Sequence, residues 1–197
     1  MNVNIGAFLC EVSLLKDLTP PNETGNKENR QAIEKEFIAH VRKDDNGTWA
    51  DPHLLSQHLD DTARLAEFYA AKFHSGEWGR IAGLAHDAGK GRSVWQTYIR
   101  QRSGYYDEEA HLEGKPGKIP HAIHGAKMVE DLLGKGAGRI LAYCIAGHHA
   151  GLPDWSNAEG AGPASLQYQE TQVKDVHAIA SFISDTIKEA KPGAPPW

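Results

Sequence analysis

Cysteine is nearly absent from this chain. Cys10 and Cys144 are far apart and in no CxxC spacing, so a disulfide framework and a thiolate zinc site are both excluded, and free thiols are expected. Long apolar runs are missing as well. No stretch reaches the roughly 18 consecutive apolar residues of a membrane span, and no charged-then-apolar leader ending in small residues opens the sequence. The expected setting is the cytoplasm, with no membrane partner. A GxxxxGK[ST] phosphate loop is absent too, which excludes ATP hydrolysis by that route. Positive charge is in deficit: the formal net charge is -5, so any grip on nucleic acid must come from a local concentration of Lys and Arg. With 197 residues and 40% of them hydrophobic, the chain suits one globular domain with a sizeable core.

What the chain has in abundance is histidine, 11 in all, several next to each other or next to an acid. Residues 1–31 are expected to be an irregular N-terminal segment, because "KDLTPPNETGNKENRQ" is polar and rich in turn formers. A domain over 32–190 follows, and "KPGAPPW" (191–197) reads as a non-helical stub. A helix is expected from Asp51 as N-cap and Pro52 as first residue, with Leu55, Leu59, Ala63, Ala66, Tyr69 and Phe73 on one face. A second runs through "EWGRIAGLAHDAG", stopping at Gly89, and a short third through "SVWQTYIRQR". Another starts near Pro120 and reaches Gly134. "GRILAYCIAGHH" is apolar on nearly every face and reads as the buried central helix. Apolar spacing from Val173 to Ala190 predicts one more amphipathic helix. Short strands near "EFIAHVR" and "GTWAD" leave room for an N-terminal β-hairpin. The predicted fold is all-α, a compact helical bundle.

His86 and Asp87, in "GLAHDAGKG", fall at a helix C-terminus, where alone they read equally well as a cap or a satisfied core pair. His148 and His149 close an apolar helix, and buried neutral imidazoles need a partner for each ring nitrogen. His121 and His124 stand at i, i+3, so both can lean to one side, and only one need be a ligand. His58 lies on the margin of the first helix's apolar face. Imidazole and carboxylate on four helices, each near a buried face, are what a bundle needs for an internal transition-metal site. That donor set favours Mn, Fe, Co, Ni or Zn over calcium, and Asp87 can bridge two ions. Residues 88–106 carry Lys90, Arg92, Arg100 and Arg102 with no acid, interleaved with Trp95, Tyr98, Tyr105 and Tyr106. This pattern suits a single strand's backbone and bases, and equally a core edge with a solvated face.

The segments "LLSQHLDDTARLA", "GLAHDAGKG", "PHAIHGAKM" and "AGHHAGLPDW", in this order, resemble the HD superfamily of metal-dependent phosphohydrolases. Within it the match is to the HD nuclease domain of the CRISPR-associated helicase-nuclease of type I systems. The resemblance implies His58, His86 and Asp87 around one metal, with Asp87 bridging to a second held by His121, His148 and His149. His121, not His124, matches the "HxxxGA" pattern. Lys90 would lie near the scissile phosphate; the basic run around it, read from the residues themselves, offers Arg92, Arg100 and Arg102 as DNA contacts. Two divalent ions are implied, Fe, Mn, Co or Ni, with Zn and Mg less suited. The implied activity is cleavage of single-stranded DNA in antiviral defence, with a helicase and a DNA-bound CRISPR surveillance complex as partners; the helicase part is not in this chain. The family carries one further metal-binding Asp, in a sequence resembling "SxLVDAD", and Asp185 in "FISDTI" is the nearest candidate. Rival readings are an HD phosphohydrolase acting on nucleotides or cyclic dinucleotides, and a non-catalytic docking module with an incomplete metal site.

Overall fold

The structure, a computed structural model, describes residues 37–105, 119–156, 162–190 and 192–193. The expected irregular segment at 1–31, and all of the stub but 192–193, lie outside them.

Strand β1 (Ile38–His40) pairs antiparallel with β2 (His53–Leu54), Ile38 opposite Leu54 and His40 opposite His53. The loop between them is closed by a Lys43–Trp49 bridge and by the Asp44 carboxylate, which accepts from the Asn46 and Thr48 amides. Gly47, at φ +80°, supplies the left-handed turn residue. A hairpin therefore forms where one was expected, but its second strand lies beyond "GTWAD". That strand claims the residues read as the first helical turn. Helix α1 (Leu55–Ala70) starts three residues after Pro52, its N-cap Leu54 is extended without a side-chain cap, and Leu55 N donates to Phe37 O across the hairpin. Asp51 caps nothing there, because strand pairing satisfies the helix end instead. Leu55, His58, Leu59, Ala63 and Ala66 are buried, while Phe73, expected on the same face, is exposed.

Helix α2 (Gly76–Ala85) turns back along α1. The two backbones touch: a Cβ at Gly83 would lie 2.5 Å from Ala63 Cα, and one at Gly79 2.5 Å from Ala66 O. Every residue from 81 to 92 is buried, which makes α2 and the 3-10 turn after it (Ala88–Gly91) the middle of the bundle. Gly89 does not end a helix there. It permits a close approach, since a Cβ would sit 2.2 Å from His121 O.

Helix α3 (Ser93–Ser103) follows, then α4 (Ala122–Leu133), with His121 at its N-cap and Pro120 one residue outside. A wide turn, Gly134–Gly138, leads into α5 (Arg139–Ala146). This is not the central helix its composition suggested: it buries Leu141, Ala142 and Ile145 but exposes Ile140, because only one side is covered. Helix α6 (Leu166–Gln172), capped by Ser165, was not expected, and α7 (Ser181–Glu189) ends the bundle. The single helix expected over Val173–Ala190 is broken. Val176–Ala178 form a 3-10 turn, and Ala180 N donates to Gly91 O at 3.0 Å, spending its amide on the turn after Asp87 instead of on a helix. Among the described residues no helix is long and apolar enough to cross a membrane.

Candidate metal centre

Asp87 is buried at the end of α2, and each of its carboxylate oxygens faces a different set of donors. Oδ2 lies 2.9 Å from His58 Nε2, 3.3 Å from His86 Nε2 and 2.8 Å from Lys90 Nζ. Oδ1 lies 3.0 Å from His121 Nε2 and 3.6 Å from His148 Nε2. Beyond them, His149 Nε2 is 2.9 Å from His121 Nε2. Two groups of potential ligands share the aspartate: Asp87, His121, His148 and His149 on one side, and His40, His58 and Asp87 on the other, their ligand atoms within 4.8 Å of one another in each group. His86 joins the second side, its Nε2 3.1 Å from that of His58.

The backbone orients the rings. His86 Nδ1 donates to Gly83 O and His148 Nδ1 to Ile145 O, each at 2.7 Å and each three residues back along its own chain. In a neutral imidazole so engaged, Nε2 is left with a lone pair. These lone pairs point at a carboxylate that has only lone pairs to offer. Asp87 Oδ1 and His148 Nε2, both buried, have no hydrogen-bond partner among the described residues. Such an arrangement is costly unless a cation lies between, so the residues fit a divalent metal.

The electrostatics agree. Burial pushes His58 down to about 4, against the pull of its bond to Asp87, and burial also lowers His121. Burial, with the Lys90 charge, pushes His40 down to about 3. These rings are neutral near pH 7, the form in which imidazole binds metal. Burial alone would raise the Asp87 carboxyl, but His86, Lys90 and His121 together outweigh it and hold it well below the usual carboxylate range.

All six expected ligands therefore converge, from α1, the end of α2, the N-cap of α4 and the turn after α5. His58 proves buried rather than marginal. His124 turns away, its Nε2 2.9 Å from Asp175 Oδ1. Lys90 is buried between Asp87, Ala39 O and the Trp95 ring. The expected run of basic residues is divided. Arg92 is buried and braces the fold, bonding Asp175, Gly89 O and Pro120 O, so it leaves the surface stripe. Arg100 is half-buried against Gln96, Arg102 is exposed, and Tyr106 lies outside the described residues. Asp185 is exposed, paired with Lys188, and in neither donor group. Sequence reasoning missed His40, which joins a donor group, and the anchor that Asp175 gives Arg92 and His124. Only the strand register, which sets His40 opposite His53 and beside His58, reveals the first.

A protein-family model, described as the HD domain of Cas3, matches residues 39–196. The chain belongs to the Cas3 HD domain family. No curated protein matches it. As a Cas3 HD domain it is a metal-dependent nuclease domain of CRISPR defence, a family that acts on DNA in association with a helicase and binds divalent metal.

Proposed function

We propose that this Cas3 HD domain cleaves phosphodiester bonds of single-stranded DNA with two divalent transition-metal ions, Fe, Mn, Co or Ni. His58, His86 and Asp87 hold one, and Asp87, His121, His148 and His149 the other. The observation that carries this reading is the buried carboxylate whose two oxygens each face imidazole nitrogens, with Oδ1 and His148 Nε2 lacking a hydrogen bond among the described residues. Two such ions, when bound, supply a hydroxide near neutral pH and charge to clamp the phosphate oxygens of an in-line displacement.

The chain's own residues do the rest. Asp87 stays ionised and His58 and His121 stay neutral, so these donors are ready at physiological pH. Lys90 brings a positive charge to within 2.8 Å of Asp87, where it contacts the scissile phosphate. Arg100 and Arg102 on α3 hold the strand's backbone at the edge of the site. The chain has no phosphate loop for ATP, so a cytoplasmic helicase, recruited by a CRISPR surveillance complex, supplies the single strand.

The test is incubation of circular single-stranded DNA with the metal-stripped protein and each divalent ion in turn, alongside Asp87→Ala. Wild type is expected to linearise and degrade the circle, and the variant, folded by circular dichroism, to be slower by at least about 100-fold. Equal cleavage by the variant would sink the proposal. Phosphate release from mononucleotides with the circle left intact would favour a nucleotide phosphohydrolase, and a wild type that binds no metal would favour a docking module.

A further inference from the structure

Strand β1 has its outer edge paired by a buried side chain. Gln96 Oε1 accepts from Ile38 N at 2.9 Å, and Gln96 Nε2 donates to Ile38 O at 2.9 Å and to Lys90 O at 2.8 Å. Lys90 Nζ adds a longer bond to Ala39 O, 3.4 Å. A primary amide that spends both ends on one residue's backbone does the work of a neighbouring strand. These bonds fasten the hairpin to the 3-10 turn that follows Asp87. The next residue along the strand is His40.

His40 is held where its ring meets the centre. It stands edge-on to His58 with centroids 4.8 Å apart, and it stacks on His53 at 6.1 Å. One ring nitrogen of His40, one of His58 and a carboxylate oxygen of Asp87 lie within 4.8 Å of one another. The expected protein ligands on this side of Asp87 are His58, His86 and Asp87 itself, which leaves coordination positions open for a further imidazole as well as for water or phosphate. Asp185, the nearest candidate for the family's further acid, is exposed and paired with Lys188.

We propose that His40 is a further metal ligand, completing from β1 the donor set of the ion held by His58, His86 and Asp87. This rests on the two-metal reading above. It gives the hairpin a role, as the element that delivers an imidazole to the His58 side of the centre.

The experiment measures metal content. The full chain is stripped with chelator and reloaded with Mn(II) for elemental analysis, and with Co(II) for titration by visible absorption. Wild type, His40→Ala and His40→Phe are compared, the last keeping a ring to pack on His58 while removing both nitrogens. Wild type is expected to bind two ions per chain. Both variants are expected to keep the ion at His121, His148 and His149, and to bind the other at least about tenfold more weakly, with loss of its Co(II) absorption. Wild-type loading of either variant would overturn the role of His40 and leave the two-metal reading standing. A wild type that binds no ion would overturn both.

Discussion

On the two-metal proposal, Lys90 and a metal ion would compete for the same carboxylate, that of Asp87. Without metal, the Lys90 ammonium lies against Asp87 Oδ2, nearly excluded from water and over the face of Trp95. Removing one partner of such a buried pair costs about 3–5 kcal/mol, because the other charge is left uncompensated. Lys90→Met keeps the aliphatic stem and deletes the charge. In urea denaturation of the metal-free protein, this variant is expected to lie about 3 kcal/mol below wild type. At saturating Mn(II) the gap should shrink to under about 1 kcal/mol, because the ion then compensates Asp87 in both proteins. Metal content should be retained while cleavage falls. A deficit that stays the same with and without metal would mean that Lys90 and the ion do not share Asp87.

At the scale of elements, the sequence and the structure agree where periodicity runs long and disagree where a neighbouring backbone intervenes. The helices containing His58 and His124, and the one that ends just before His86, were legible because their apolar residues recur over several turns. The start of α1 was not, because the pull of β1 on His53 and Leu54 is a long-range pairing that no local signal carries. The break at Val173–Ala180 has the same origin, as Gly91 O takes the Ala180 amide and Asp175 is drawn to Arg92 and His124. The six proposed ligands were singled out by the resemblance, which took His121 over His124; the residue pattern alone left a cap, a core pair and a ligand open. His40, on a three-residue strand without periodicity, was singled out by neither.

Helix α6 escaped notice because seven residues are too few for a periodic signal, and it carries a titration of its own. Glu170 is buried beside the Glu130–Arg139 ion pair, with Oε1 unpaired among the described residues. Burial, then the negative charge of Glu130, raises its carboxyl to about 7. Between the unfolded value near 4.5 and 7, the folded protein holds a proton that the unfolded chain has released. Stability from this group is therefore complete below pH 4.5 and lost as pH rises through 7. Glu170→Gln, which mimics the neutral form, is expected to gain about 2 kcal/mol over wild type at pH 8. At pH 5 the advantage should fall to under about 1 kcal/mol, and thermal denaturation at the two pH values reads the difference directly. An equal effect at both would mean that Glu170 is not the titrating group.

For the molecule as a whole, a net charge of -5 means that a DNA strand approaches a repelling body and must be held by a few local cations. Arg92 is withdrawn into the fold, so of the proposed DNA contacts Arg100 and Arg102 on α3 remain for that task. Each phosphate neutralised on a single strand contributes about -0.7 to the slope of log K against log salt. The double substitution Arg100→Gln with Arg102→Gln should therefore weaken binding of a labelled oligonucleotide and flatten that slope by about 1.4 when both contacts are made. Fluorescence anisotropy in excess chelator measures this without cleavage, and circular dichroism checks that the fold survives, since Arg100 also bonds Gln96. An unchanged slope and affinity would mean that α3 does not face the strand, and that the metal centre is reached from another side.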